Sequence, residues 1–377
     1  VSEADSSEAR TQDRPEADFI RTFPCGGCGA KLSFAPGTRT LKCEFCGTAN
    51  EIEADDTRVE ELPFDTYLKA LEGREEMVQA ETVKCAKCGA EQTLGDNLFA
   101  SACTFCSSPI VSKGYAARRI KPKAIVPFQV DHKRAQDEFR RWVKSLWLAP
   151  NDLKRYAQSD AGMTGLYLPY WTYDCNTATH YTGERGEDYY TDERVETTDS
   201  QGRTSVSTQR RKHTRWSAVS GSVEAFHDDV IVMASHSLPR TMHGAATAWN
   251  LKGLVPYQPE FVGGFRAEAY QVGLSEGFPI AKEDIDATVY GLIRRDIGGD
   301  QQRVHQVSTQ YSNVTFKHVL LPVWISAYRY RDKVFRFLVN GQTGEVSGDS
   351  PTSWVKVTML TIAVVIGIFI LLVLFSN

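Results

Sequence analysis

At 377 residues with 42% hydrophobic side chains, the chain has apolar material for two or three packed domains, which excludes a wholly disordered protein. Its net charge of −4 hides an asymmetry. Residues 1–60 hold 7 basic and 12 acidic groups, residues 61–112 hold 4 and 8, and residues 113–155 hold 12 and 4. The N-terminal third therefore offers no general attraction to phosphate backbones, whereas the stretch after it is basic.

Residues 1–18, rich in Glu, Asp, Ser and Arg, read as a disordered tail without the apolar core of a signal peptide. Cys25-Gly-Gly-Cys28 and Cys43-Glu-Phe-Cys46 then define a first zinc ribbon over 19–54. Cys85-Ala-Lys-Cys88 and Cys103-Thr-Phe-Cys106 define a second over 83–112. Fourteen residues separate the pairs in each copy and the offset is sixty throughout, the mark of an internal repeat of two self-contained units. Between them, residues 55–82 read as a linker helix with apolar positions at Phe64, Leu68, Leu71 and Met77, interrupted or ended near Gly73.

Residues 113–350 read as a mixed α+β domain rich in strands. Ala124–Val130 is predicted as a strand. Asp131 caps a helix whose apolar face is Ala135, Phe139, Trp142, Val143 and Leu146. Further strands are predicted at Leu166–Tyr181, Val219–Ala234, Val319–Tyr330 and Lys333–Val339, with a polar hairpin over Val195–Val206 and a helix over Ala281–Ile297 stopped by Gly298-Gly299. Leu166-Tyr-Leu-Pro-Tyr-Trp171 is echoed by Leu320-Leu-Pro-Val-Trp324, which suggests a second duplication. Val357–Phe375 carries no charge, and as a helix its nineteen residues would span roughly 28 Å, the thickness of a bilayer core. Residues 355–377 are thus predicted to be a transmembrane tail anchor. Lys356 before the span places the N-terminal bulk in the cytoplasm. The fold class is α+β: two small β zinc ribbons, a strand-rich mixed domain and one C-terminal transmembrane helix.

Eight of the nine cysteines lie in Cys-x-x-Cys pairs, the spacing of metal chelation in a reducing compartment rather than of disulfides. Cys25, Cys28, Cys43 and Cys46 would close one tetrahedral Zn2+ site, and Cys85, Cys88, Cys103 and Cys106 a second. Both ions are structural, because four thiolates leave no position for a reactive water. With few apolar residues in either ribbon, metal binding supplies much of the folding energy. Cys175, in an alternating strand, reads as a core residue, and the eight histidines show no tight ligand spacing. The basic run 113–155 reads as a solvated helix face, or as a surface for anionic lipid, an acidic partner or the chain's own acidic ribbons. No phosphate-binding Gly-x-x-x-x-Gly-Lys loop is present.

The duplicated cysteine knuckles, Ile125-Val-Pro-Phe128, Gly165-Leu-Tyr-Leu-Pro-Tyr-Trp171, Leu320-Leu-Pro-Val-Trp324 and Val339-Asn-Gly-Gln-Thr-Gly344 together resemble a group of bacterial membrane proteins. These carry transcription-factor-IIB-type zinc ribbons and are often labelled as resembling primosomal protein N′, the replication-restart helicase, whose motor motifs are absent here. The resemblance covers about residues 20–350. It implies a membrane-associated adaptor, in a group found beside phage-shock and stomatin-like scaffold proteins, and transfers no catalytic residue. The expected function is a non-enzymatic zinc-ribbon adaptor that docks membrane-associated proteins at the cytoplasmic face of the bacterial inner membrane. A nucleic-acid-associated factor of replication or transcription is the alternative, disfavoured by the acidic ribbons. An enzyme housed in the middle domain ranks third.

Overall fold

The computed structural model describes residues 23–55, 57–71, 77–84, 91–93, 100–102, 109–111, 115–153, 162–198, 204–238, 249–330 and 333–375. The tail expected at 1–18 lies outside them.

The first ribbon is a four-stranded antiparallel meander of β1 (Phe23–Pro24), β2 (Lys31–Phe34), β3 (Thr40–Cys43) and β4 (Ala49–Glu51). Its inward residues Leu32, Phe34 and Leu41 are too few to form a core alone, and they join the main one: the Phe34 and Phe261 rings meet edge-on at 5.4 Å. The backbone is also fastened to the main domain. Phe34 N–H donates to Gly263 O at 2.9 Å, and Gly37 N–H to Phe128 O at 2.8 Å. The unit expected to be self-contained is therefore docked on the mixed domain.

The linker holds a short helix that ends near Gly73, as expected, but not a helical second half. After β5 (Leu62–Pro63), helix α1 covers Phe64–Leu71, and the later part is a strand, β6 (Met77–Lys84). Phe64, Tyr67 and Leu68 pack against the main sheet, but Met77 onward is recruited into strand pairing, which overrides the weak apolar spacing. In chain order β7 (Glu91–Thr93), β8 (Ala100–Ala102), β9 (Pro109–Val111) and β10 (Tyr115–Ile120) follow. Their register repeats the first ribbon. Val83 faces Gln92 as Phe23 faces Leu32, and Ala100 faces Val111 as Thr40 faces Glu51.

The mixed domain is built on three very long antiparallel strands, β12 (Thr164–Thr198) flanked by β13 (Thr204–Met233) and β16 (Gln301–Tyr330). The short strands β11 (Ala124–Ile125), β14 (Val255–Pro256), β15 (Arg266–Ala267), β17 (Lys333–Asn340) and β18 (Val346–Gly348) complete this sheet with β5. The strand expected over Ala124–Val130 shrinks to two residues, whereas those expected at Leu166–Tyr181 and Val319–Tyr330 extend far beyond their apolar segments. Helix α2 (His132–Ser145) is capped by Asp131, whose Oδ1 accepts from Arg134 N–H at 2.7 Å, and it buries Ala135, Phe139 and Val143. Helix α3 (Leu274–Ile297) starts earlier than expected and lays Ala281, Ile285, Val289, Ile293 and Ile297 over the sheet around Trp171, Tyr173 and Tyr181. Gly277 permits this approach, because a Cβ there would collide with the Tyr173 hydroxyl.

The two halves of this domain make the same contacts twice. Strand β11 runs parallel to β16 at Leu320, and β15 runs parallel to β12 at Tyr167. Val126 N–H donates to Leu320 O at 3.0 Å, and Glu268 N–H to Tyr167 O at 2.9 Å. Gln129 and Val130 both donate to Gly341 O; Gln271 and Val272 both donate to Ala234 O. Trp324 Nε1 donates to Val130 O at 2.8 Å, and Trp171 Nε1 to Val272 O at 2.9 Å, each carbonyl lying just before the N-cap of α2 or α3. The Pro-x-Trp echo is thus the visible part of an internal duplication. Its Pro169 and Leu320 face one another across the antiparallel pair, as do Pro322 and Tyr167.

Helix α4 (Trp354–Phe375) ends the described chain. Its span Trp354–Val373 is long and apolar enough to cross a membrane, and none of it is buried.

Candidate metal centre

The Sγ atoms of Cys25, Cys28, Cys43 and Cys46 all lie within 4.8 Å of one another. Cys25 and Cys46 are 3.5 Å apart, as are Cys28 and Cys43, near the edge of about 3.8 Å that a tetrahedron with Zn–S bonds of about 2.3 Å requires. The knuckle turns explain how the sequence achieves this. Gly29 and Gly47, each immediately after a Cys pair, adopt φ of 73° and 75°, and their amides donate to Cys25 O and Cys43 O. The turn also aims Gly27 N–H at Cys25 Sγ, 3.4 Å away. Cys25 and Cys43 are buried, and Cys28 and Cys46 are exposed.

The thiols cannot all ionise unaided. The Thr48 hydroxyl and amide pull Cys46 down to about 6. The Ala30 amide lowers Cys28, but the Cys43 and Cys46 sulfurs outweigh it and drive that thiol up to about 12. A divalent cation among the four sulfurs removes this conflict, so the donor set fits a metal ion, and soft thiolates suit zinc. The predicted ligands Cys85, Cys88, Cys103 and Cys106 lie outside the described residues.

A second cluster was not foreseen from the sequence because its members are far apart in the chain. Lys317 Nζ lies 2.7 Å from Asp229 Oδ1, 3.1 Å from Glu61 Oε1 and 3.7 Å from Asp174 Oδ2, with Lys317 and Asp174 almost wholly buried. Asp174 sits at a bulge in β12, where its Oδ1 accepts from Asp229 N–H at 2.6 Å, and Asp229 takes the left-handed φ of 51° to donate it. Burial, then the neighbouring Glu61 carboxyl, pushes Asp174 up to about 7. Burial opposes the charge on Lys317, but the Asp229, Asp174 and Glu61 carboxylates outweigh it and hold its pKa above the ordinary lysine value. Asp174, Asp228 and Asp229 are close enough to hold a cation, yet the ammonium already supplies the counter-charge. The cluster is a buried ion network that ties Glu61, just before β5, to the main sheet. Beside it, Thr57–Glu61, Lys123 and Pro256 line an open cleft of about 710 Å³.

Cys175 is buried in β12 under α3, and burial pushes its thiol up, as expected of a core residue rather than a nucleophile. His227 meets Thr177 Oγ1 at 3.0 Å, and His318 Nδ1 meets Ile120 O at 2.8 Å. On the outer part of the long ribbon, Arg210 lies over Tyr190, Arg215 over Tyr189 and Arg303 over Trp216.

No known family model matches the chain. Over 367 residues it is 26% identical to the uncharacterized protein YdjG of Bacillus subtilis (strain 168), an alignment that covers 95% of this chain and 98% of that protein. The likeness therefore extends over nearly the whole length of both chains.

Proposed function

We propose that the chain is a non-enzymatic, membrane-tethered zinc-ribbon adaptor that docks partner proteins at the cytoplasmic face of a bacterial inner membrane. The observation that carries this reading is an unburied apolar helix joined directly to a domain that also holds a four-thiol cluster. Such a cluster binds zinc as a closed structural site and presents a rigid knuckle surface. The register repeat around β7–β9 supports a second zinc held by Cys85, Cys88, Cys103 and Cys106. Lys356 ahead of the apolar span supports an N-terminal bulk in the cytoplasm. Partners of the phage-shock or stomatin-like scaffold type are those the sequence resemblance favours. Affinity purification in mild detergent, read by mass spectrometry with and without nuclease, tests the proposal. Membrane proteins recovered equally under both conditions support it; recovery only of nuclease-sensitive material overturns it.

A second reading, a nucleic-acid-associated factor, is favoured by one observation. Arg210, Arg215 and Arg303 form cation–aromatic pairs on the outer ribbon, a pattern suited to stacked bases. Against it, Arg303 on β16 is paired with Glu184, and Arg211 and Lys212, beside Arg210 on β13, are paired with Glu193 and Asp188.

A further inference from the structure

The C-terminal end of α2 and the first turn of α4 are clasped together. Ser353 N–H donates to Leu148 O at 2.8 Å, and Lys356 Nζ donates to Trp147 O at 3.0 Å and Ala149 O at 2.7 Å. The ammonium thus satisfies carbonyls just beyond the end of α2, where the helix dipole favours a cation. The apolar helix consequently leaves the domain at a fixed place.

Two large side chains stand out there. Trp147 is 63% exposed and Trp354 79% exposed, whereas the domain's other motif tryptophans, Trp171 and Trp324, are buried. Tryptophan gains most where one part of the ring meets hydrocarbon and its N–H stays wet, which is the headgroup layer of a bilayer. One turn before Trp147, Lys144 is exposed and has no ion pair among the described residues, while Arg140 and Arg141 are engaged by Asp137 and Glu138. Apolar ring, free cation and membrane-length helix therefore converge on one patch.

We propose that the C-terminal end of α2 is a membrane-docking surface: Trp147 enters the headgroup layer of the leaflet that α4 enters, and Lys144 meets the phosphates of anionic lipid. The inference rests on reading α4 as a membrane span. It deepens the tethered-adaptor proposal by fixing which side of the domain faces the bilayer, leaving the first ribbon's placement set by the domain itself.

The full-length chain is reconstituted into phosphatidylcholine vesicles containing a minor share of phosphatidylglycerol, with acyl chains brominated close to the headgroup. Tryptophan quenching is compared for the unmodified chain, Trp147→Phe and Trp354→Phe. Each variant is expected to lose part of the quenchable signal. Loss with Trp354→Phe but none with Trp147→Phe overturns the docking surface while leaving the span intact. No loss with either, in a chain that does not float with the vesicles, overturns the span itself. Lys144→Glu is expected to reduce quenching in the anionic vesicles and not in pure phosphatidylcholine; equal quenching in both overturns the lipid-phosphate contact.

Discussion

Lys317 shows how single residues hold the linker against the sheet. Its ammonium faces the carboxylates of Asp229, Asp174 and Glu61, so removing it leaves buried negative charge without a partner. Lys317→Met is expected to cost about 3–5 kcal/mol at neutral pH, the usual penalty for breaking a buried pair. Acidification should restore part of that loss as the carboxylates protonate, which urea unfolding across pH would measure. Asp174 in the unmodified chain favours the same end of the pH scale. Because its folded pKa is raised to about 7, its contribution to stability is complete below its unfolded value and is lost as pH rises through about 7. Asp174→Asn keeps the acceptor for Asp229 N–H and removes that titration, so its stability should fall less than that of the unmodified chain over this window. A steeper fall would contradict the assignment.

At the scale of elements, the duplicated tryptophan contacts make a paired expectation. Trp171→Phe and Trp324→Phe each keep an aromatic ring and leave a buried carbonyl, Val272 O or Val130 O, without its donor. Each should cost about 1–3 kcal/mol, and the two costs should be similar, as thermal unfolding of the variants would show. A large loss in one and none in the other would contradict the equivalence of the halves. Deleting residues 355–377 should release the chain into the soluble fraction; continued sedimentation with salt-washed membranes would reveal another hydrophobic contact.

The elements differ in how legible they were. Cysteine spacing exposed the four-thiol cluster of Cys25, Cys28, Cys43 and Cys46, and periodic apolar residues capped by Asp131 exposed α2, because each pattern serves one local structure. Beyond the polar hairpin read over Val195–Val206, whose flanks pair at Thr198 and Thr204, the outer parts of β12, β13 and β16 were hidden. Tyr189, Lys212 and His305 lie on a ribbon with polar groups on both faces, so no inside-outside alternation marks it. The Lys317 cluster was equally hidden, since Glu61, Asp174, Asp229 and Lys317 meet only through sheet register and the bulge at Asp174. The Pro-x-Trp echo was visible, but its meaning emerged only when both indoles were found bonded to equivalent carbonyls.

For the whole molecule, charge distribution separates the two functional readings. Residues 1–112 hold an excess of acidic groups, and two thiolate-bound zinc ions would each leave a net negative centre. DNA should therefore bind the detergent-solubilised chain only weakly and with strong salt sensitivity, through the outer-ribbon arginines and residues 113–155. Fluorescence titration across ionic strength tests this, and tight, sequence-dependent binding that disappears with the metal would favour the nucleic-acid reading instead. Elemental analysis of the full-length chain extracted from salt-washed membranes tests metal and membrane attachment together in one molecule. Two zinc ions per chain are expected, falling to one in Cys43→Ser. A single equivalent in the unmodified chain, a predominance of iron, or loss of both ions from the Cys43→Ser chain would contradict two closed, independent zinc sites on a membrane-tethered protein.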